Sequence, residues 1–168
     1  IFQQPESLSE LVSKVNEKRK KPLIIKLPWY DTANNDFSVR DRERGLLVNL
    51  TRACCSAGVE GLTVANSRPI SEPRLSTGNG GLSGQPTFDN MLTMVSDARG
   101  ETGGKMGINA CGGIFSGADA WKAIQAGATT VQLLTGLVYK GPGIASHINK
   151  DLLSIMDKEE IDALMYDI

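Results

Sequence analysis

The chain has 168 residues, enough for one domain with a packed core, and its 18 Lys and Arg against 19 Asp and Glu leave a formal net charge of −1. That balance supplies no basic footprint for nucleic acid or for an anionic membrane surface. The three cysteines (Cys54, Cys55 and Cys111) make no CxxC pair, which argues against a disulfide framework and a zinc site and for a reducing compartment.

In chain order, the predicted elements alternate between helix and strand. Residues 5–20, PESLSELVSKVNEKRK, place Leu8, Leu11, Val12 and Val15 at i, i+3, i+4 and i+7, one face of a helix with Pro5 near its first turn. Lys18-Arg19-Lys20-Lys21 reads as the solvated end of that helix. PLIIKLP (22–28) predicts a buried strand with one Lys inside it. RDRERGLLVNLTRACCSAG (40–58) predicts a helix capped at Gly58. GLTVA (61–65) is the next strand, and NSRPISEPRLSTGNGGLSGQP (66–86) reads as a long irregular stretch.

TFDNMLTMVSDARG (87–100) then predicts a helix with Phe88, Met91, Leu92 and Val95 on one side. MGINAC (106–111) is a strand, SGADAWKAIQAG (116–127) a helix, and TTVQLL (129–134) a strand. GIASHINKDLLSIM (143–156) carries Ile144, Ile148, Leu152 and Ile155 along one helix face, and the tail 157–168 predicts a further short helix. No apolar run approaches the roughly 20 residues of a membrane span. The first residue is Ile1 and not Met, so the chain is expected to be a piece of something longer.

Four short apolar strands separated by helices make three consecutive βα crossovers, and so a parallel sheet covered on its outer face. A doubly wound sheet would carry GxGxxG after its first strand; here GNGG and GLSG lie late in a long loop. The polar residues gather at the strand carboxyl ends: Lys26, Asn66, Gly112-Gly113 and Thr135-Gly136. That distribution belongs to a (β/α)8 TIM barrel, which needs about 250 residues. The expected fold is therefore α/β of that type with only about the last four βα units present, residues 1–168 forming one half and the amino-terminal half absent.

Several of these residues can carry chemistry. Lys26, within an apolar strand, either reaches water at the barrel mouth or meets an anionic or electron-accepting group. Asn66 and Ser67 leave a strand, where Asn often only forms a turn; its amide can also donate to and accept from a flat ligand. Gly112-Gly113 either close a tight turn or let backbone N–H groups approach an anion. Ser116 is placed to cap the following helix, whose amino end favours negative charge. Pairing Gly112-Gly113 with Leu134-Thr135-Gly136 one unit later favours a phosphate. GGLSG (80–84) is either a flexible surface loop or one that lies flat against a planar ring or a phosphate. His147 reads as a surface residue and Cys111 as a small buried one. No Ser/His/Asp set can be assembled.

The segments IIKLP (24–28), GLTVANSRP (61–69), GNGGLSGQP (78–86) and GINACGGIFSGADAWKAIQAGATTVQLLTGLVYKGPG (107–143) stand in the order and spacing of the dihydroorotate dehydrogenases. Over residues 8–153 the chain resembles the carboxyl-terminal half of the class 2, membrane-associated, quinone-reducing form. The resemblance implies a barrel holding FMN across its strand ends, with Lys26 at the flavin ring, Ser83 and Gly84 near the flavin or its phosphate chain, and Gly112, Gly113, Leu134 and Thr135 on the phosphate. Ala65 would face the flavin, and Asn66 and Ser67 would bind dihydroorotate or orotate. It implies oxidation of dihydroorotate to orotate: a base takes a proton from one ring carbon, hydride passes from its neighbour to the flavin, and a quinone receives the electrons.

The resemblance also places the serine base upstream of residue 1, so no catalytic residue is assigned here and no metal is implied. It implies association with a mitochondrial inner or bacterial cytoplasmic membrane through the absent amino-terminal region, the fragment itself being soluble. Four departures stand out: Leu134 where Tyr is frequent, Ala65 where Thr is frequent and so without its hydroxyl, Cys111 where glycine or a small apolar residue is usual, and a longer segment at 29–45. Two alternatives remain beside this reading. One is a noncatalytic phosphate- or flavin-binding half-barrel paired with a second copy, and the other an FMN barrel oxidoreductase with another substrate.

Overall fold

A computed structural model describes residues 4–32 and 34–158. The elements follow as α1 (Pro5–Asn16), β1 (Ile24–Lys26), α2 (Phe37–Ser56), β2 (Gly61–Val64), β3 (Arg68–Ser71), β4 (Asn79–Leu82), α3 (Phe88–Thr102), β5 (Gly107–Cys111), α4 (Gly117–Gln125), β6 (Thr130–Gln132), α5 (Thr135–Lys140) and α6 (Ile144–Lys158). Among them no helix is long and apolar enough to cross a membrane. The predicted tail helix falls mainly at 159–168, outside the described residues.

β1, β2, β5 and β6 form one parallel sheet in that order. The register aligns Lys26 with Thr63, Thr63 with Asn109, and Asn109 with Thr130, so these residues share one face. The alternate residues Leu62, Val64, Ile108 and Ala110 are fully buried on the other face, against the helices. There Met91, Met94, Val95 and Ala98 of α3 are also fully buried; each large side chain so removed from water contributes roughly 1.5–3 kcal/mol. Helices on one face and strand ends on one rim are four successive units of a (β/α)8 barrel, left open. Among the described residues β1 pairs only with β2, and β6 only with β5.

Four expectations are corrected. The first strand is not buried: Ile24 is 60% exposed, because it faces the open concave side at a sheet edge. The stretch 66–86 is not irregular: β3 and β4 form an antiparallel hairpin, Arg68 opposite Leu82 and Ser71 opposite Asn79. Its Pro and Gly residues conceal any alternation, and Pro69 is tolerated because a two-stranded ladder is all edge. α2 begins at Phe37, where Asp36 Oδ1 accepts from the N–H groups of Ser38 (2.9 Å) and Val39 (3.3 Å). Arg19 is no solvated helix end: its guanidinium donates to Gly58 O (3.0 Å) and to Glu60, tying the α1–β1 turn to the α2–β2 turn.

The long segment after β1 is clamped to α3. Asn90 donates to Tyr30 O (2.8 Å) and accepts from the N–H (2.7 Å) and hydroxyl (2.9 Å) of Thr32. The hydroxyl of Tyr30, 3% exposed, donates to Asp97, whose carboxylate also takes Arg44 at 2.6 Å and 3.0 Å. Burial, and then the hydrogen bond to the Asp97 carboxylate, push the Tyr30 phenol above its ordinary range.

Three outcomes follow from this packing. A folded-state pKa raised at Tyr30 means that the unfolded chain loses this proton first, so its stabilisation is present below about pH 10 and is lost as pH rises beyond it. Urea titrations from pH 8 to 11 should show a steeper alkaline decline in the unaltered chain than in Tyr30→Phe. Gly45 lies within α2 with nothing near a added Cβ, so Gly45→Ala should raise stability by roughly 0.5–1 kcal/mol. At Gly117 a Cβ would lie 2.3 Å from that of Asp151 and 2.8 Å from Leu152 N. Gly117→Ala should therefore lower stability by roughly 1–3 kcal/mol in the same assay.

Candidate functional site

A cavity of about 320 Å³ opens at the carboxyl rim of the sheet, within the range of small-molecule sites. Of the concave-face residues, Lys26, Cys111 and Gln132 line it, and Gln132 joins a polar network on that face. There Asn109 Nδ2 donates to Thr63 Oγ1 (3.3 Å) and Gln132 Oε1 (3.2 Å), and Asn109 Oδ1 accepts from Thr130 (3.1 Å). Lys26 leaves the end of β1 with its Nζ 4.0 Å from Cys111 Sγ. Among the described residues lining the cavity, Lys26 is the only charged one, and none is Asp, Glu or His. A lone cation without a nearby carboxylate favours an anionic ligand.

The chain turns after β5 at Gly112 (φ 140°) and Gly113 (φ 71°). A Cβ on Gly113 would come within 2.6 Å of Phe88 Cβ and 3.0 Å of Phe88 N, so only glycine fits this close approach to the start of α3. Among the described residues the amides of Gly112, Gly113 and Leu134 donate to no backbone carbonyl. Beside them, Ser116 caps α4 by accepting from Asp119 N (3.2 Å), as expected, and Asp119 Oδ2 accepts from Phe115 N (3.0 Å). The α4 amino end is thus filled by its own Asp119. The donors left for an anion are the amides of the two strand-end turns.

The β3–β4 hairpin covers the cavity. β4 runs into Ser83 and Gly84, where Ser83 Oγ accepts from the Thr135 hydroxyl (3.1 Å). Gly84 is buried, its carbonyl accepting from the buried Thr87 hydroxyl at 2.8 Å. At the hairpin's root, Ser67 N donates to Asn66 Oδ1 (2.9 Å), and a Cβ on Gly81 would strike Ser67 Oγ at 2.6 Å.

Lys26, Asn66, Ser67, Ser83, Gly84, Gly112, Gly113, Leu134 and Thr135 all line this one cavity. Ala65 does not: it is fully buried, its N–H donating to Cys111 O (3.3 Å). Cys111, expected buried, is only half-buried and lines the cavity, because it falls on the concave phase of β5. Thr87 and Gln132 were not anticipated as lining residues. Gln132 had a readable signal, a polar residue inside an apolar strand; Thr87 had none, since it meets the site only through the fold. His147 stands exposed on α6, away from the cavity.

With this geometry in place, comparisons with known proteins converge. The family model described as dihydroorotate dehydrogenase matches residues 1–156. The mitochondrial quinone dihydroorotate dehydrogenase of Arabidopsis thaliana is 34% identical over 167 residues, covering 95% of this chain and 35% of that protein. The quinone enzyme of Nautilia profundicola is 33% identical over 155 residues, covering 92% of this chain and 40% of its own length. The crystal structure of the Eimeria tenella dihydroorotate dehydrogenase in complex with ferulenol superposes with a TM-score of 0.77 at 26% identity, over 95% of this chain and 46% of that one. The chain therefore spans between a third and a half of the length of these relatives, with open sheet edges where a barrel would continue. It belongs to the dihydroorotate dehydrogenase family.

Proposed function

We propose that this chain is the carboxyl-terminal half of a quinone-linked dihydroorotate dehydrogenase, and that its cavity takes FMN together with dihydroorotate or orotate. The observation that carries this reading is the single cavity in which Lys26, the bare amides after β5 and β6, and Asn66-Ser67 meet. The glycine turn, the lone cation and the uncrowded amides fit a flavin mononucleotide. The amides of Gly112, Gly113, Leu134 and Thr135, with the Thr135 hydroxyl, would hold the phosphate. Leu134 serves this as well as Tyr would, because it offers its backbone. Ser83 and Gly84 would lie along the flavin, and Ala65, without a hydroxyl, supports the wall from behind.

When bound, FMN supplies a two-electron acceptor for the oxidation of dihydroorotate. Lys26 stabilises negative charge at the ring end of the cavity, in a site free of competing carboxylates. Asn66 and Ser67 orient a flat, amide-bearing substrate by donating to it and accepting from it. None of the lining residues is assigned as the base; that role belongs to a serine outside this chain. The quinone acceptor and the contact with a mitochondrial inner or bacterial cytoplasmic membrane belong to the part of the enzyme that precedes these residues.

The test uses the 168-residue chain and FMN. Saturating FMN should slow alkylation of Cys111 by iodoacetamide and leave the exposed Cys55 unaffected, while orotate should perturb the bound flavin's absorbance. Lys26→Gln should weaken FMN or orotate binding by about tenfold or more, as for loss of one charged hydrogen bond. Gly113→Val should abolish FMN binding, with circular dichroism reporting whether the fold persists. Unchanged Cys111 reactivity at saturating FMN would overturn the assignment of the cavity.

A further inference from the structure

The hairpin is fastened on both sides of the cavity. At its exit, Ser83 meets Thr135 on the β6 side. At its entry, Arg68 Nη2 lies 2.9 Å from Asp31 Oδ2 on the segment after β1. Because the sheet order is β1-β2-β5-β6, these two fastenings sit beyond opposite edge strands, and the hairpin between them spans the cavity. We infer that Asp31 and Arg68 are positioning residues: their ion pair holds the hairpin root, and with it Asn66 and Ser67, in place over the cavity. The substrate part of this inference rests on the function proposed above; the placement of the hairpin does not.

Three observations support it. First, Asp31 is held on a rigid support. Its N–H donates to Glu43 Oε2 (3.0 Å), and its neighbours Tyr30 and Thr32 are both bonded to Asn90, itself only 8% exposed. Second, Arg68 is the first residue of β3 and follows Asn66-Ser67 directly, so fixing it fixes the chain direction from which Asn66 projects. Third, Ser67 is in turn wedged against Gly81 of the opposing strand, which transmits the placement of β4 to the same point. The side chains of Arg68 and Asp31 remain 47% and 21% exposed. A pair so accessible to water adds little to global stability, so its variants should fold, and its effect is geometric.

Hydrogen-exchange mass spectrometry on the 168-residue chain with Asp31→Asn, Arg68→Gln and Arg68→Lys tests this directly. In the first two variants the Ser67 amide, which donates to Asn66, and the hairpin amides of 70–82 should exchange about tenfold faster, as for a locally opened segment. Amides of β2 and β5 should be unchanged, and Arg68→Lys should restore protection. With FMN present, orotate should bind more weakly to Arg68→Gln than to Arg68→Lys, read from the flavin absorbance. Unchanged exchange at Ser67 and the hairpin in both neutral variants would overturn the inference, as would loosening with orotate affinity intact. Loosening in a chain that binds FMN but never orotate would overturn the substrate reading and support the ion pair's role in holding the hairpin.

Discussion

The parallel register of β1, β2, β5 and β6 is the constraint on which the site depends. Parallel strands must each return through a helix, and those helices bury Leu62, Val64, Ile108 and Ala110 on one side of the sheet. The same register brings every strand carboxyl end to one rim. Lys26, Asn66, Gly112 and Leu134 are far apart in the chain, yet they become neighbours because each is the residue at, or just beyond, the end of a strand. On the opposite face the Thr63–Asn109–Gln132 hydrogen bonds link three strands without introducing charge, and Gln132 carries that network to the cavity wall.

Close backbone approach then gives the rim its chemistry. Gly113 packs against the first residue of α3, and the amides beside it are left without backbone acceptors. Amides without a backbone acceptor at the rim of a cavity are donors available to an anion. Asp119 removes the competing possibility, since it already occupies the amino end of α4. Together with Lys26 and the absence of lining carboxylates among the described residues, these features favour a phosphate-bearing ligand over a cation or a neutral one.

The segment after β1 has a separate role. It reaches α3, where Asn90 and Asp97 hold it through Tyr30, Thr32 and Arg44. Once fixed, it presents Asp31 to the hairpin that leaves β2. Rigidity is thus passed from the outer helices, through a loop, to residues at the mouth of the cavity. On the opposite side the Ser83–Thr135 hydrogen bond holds the hairpin's exit to the turn after β6.

Much of the architecture was legible in the sequence. Helical periodicity in α1, α3 and α6, short apolar runs at the four sheet strands, and the glycines after β5 each reflect local chemistry that a linear reading can detect. So did the clustering of chemistry at strand ends and the family resemblance. The hairpin was hidden, because Pro69, Gly80 and Gly81 carry no alternating pattern and its strands are held by each other and by Ser67 and Asp31. Cys111 was expected buried and instead lines the cavity, for a related reason, while Ala65 is fully buried beside it. The phase of a strand decides which residues face the cavity, and phase is set by packing against α3 and the neighbouring strands. The sequence by itself determined the order of the βα units and the kinds of residue at their ends. Only the tertiary structure decided which of those ends share a cavity, which amides remain open, and that Arg68 meets Asp31, because each depends on register and contact between segments that the chain keeps far apart.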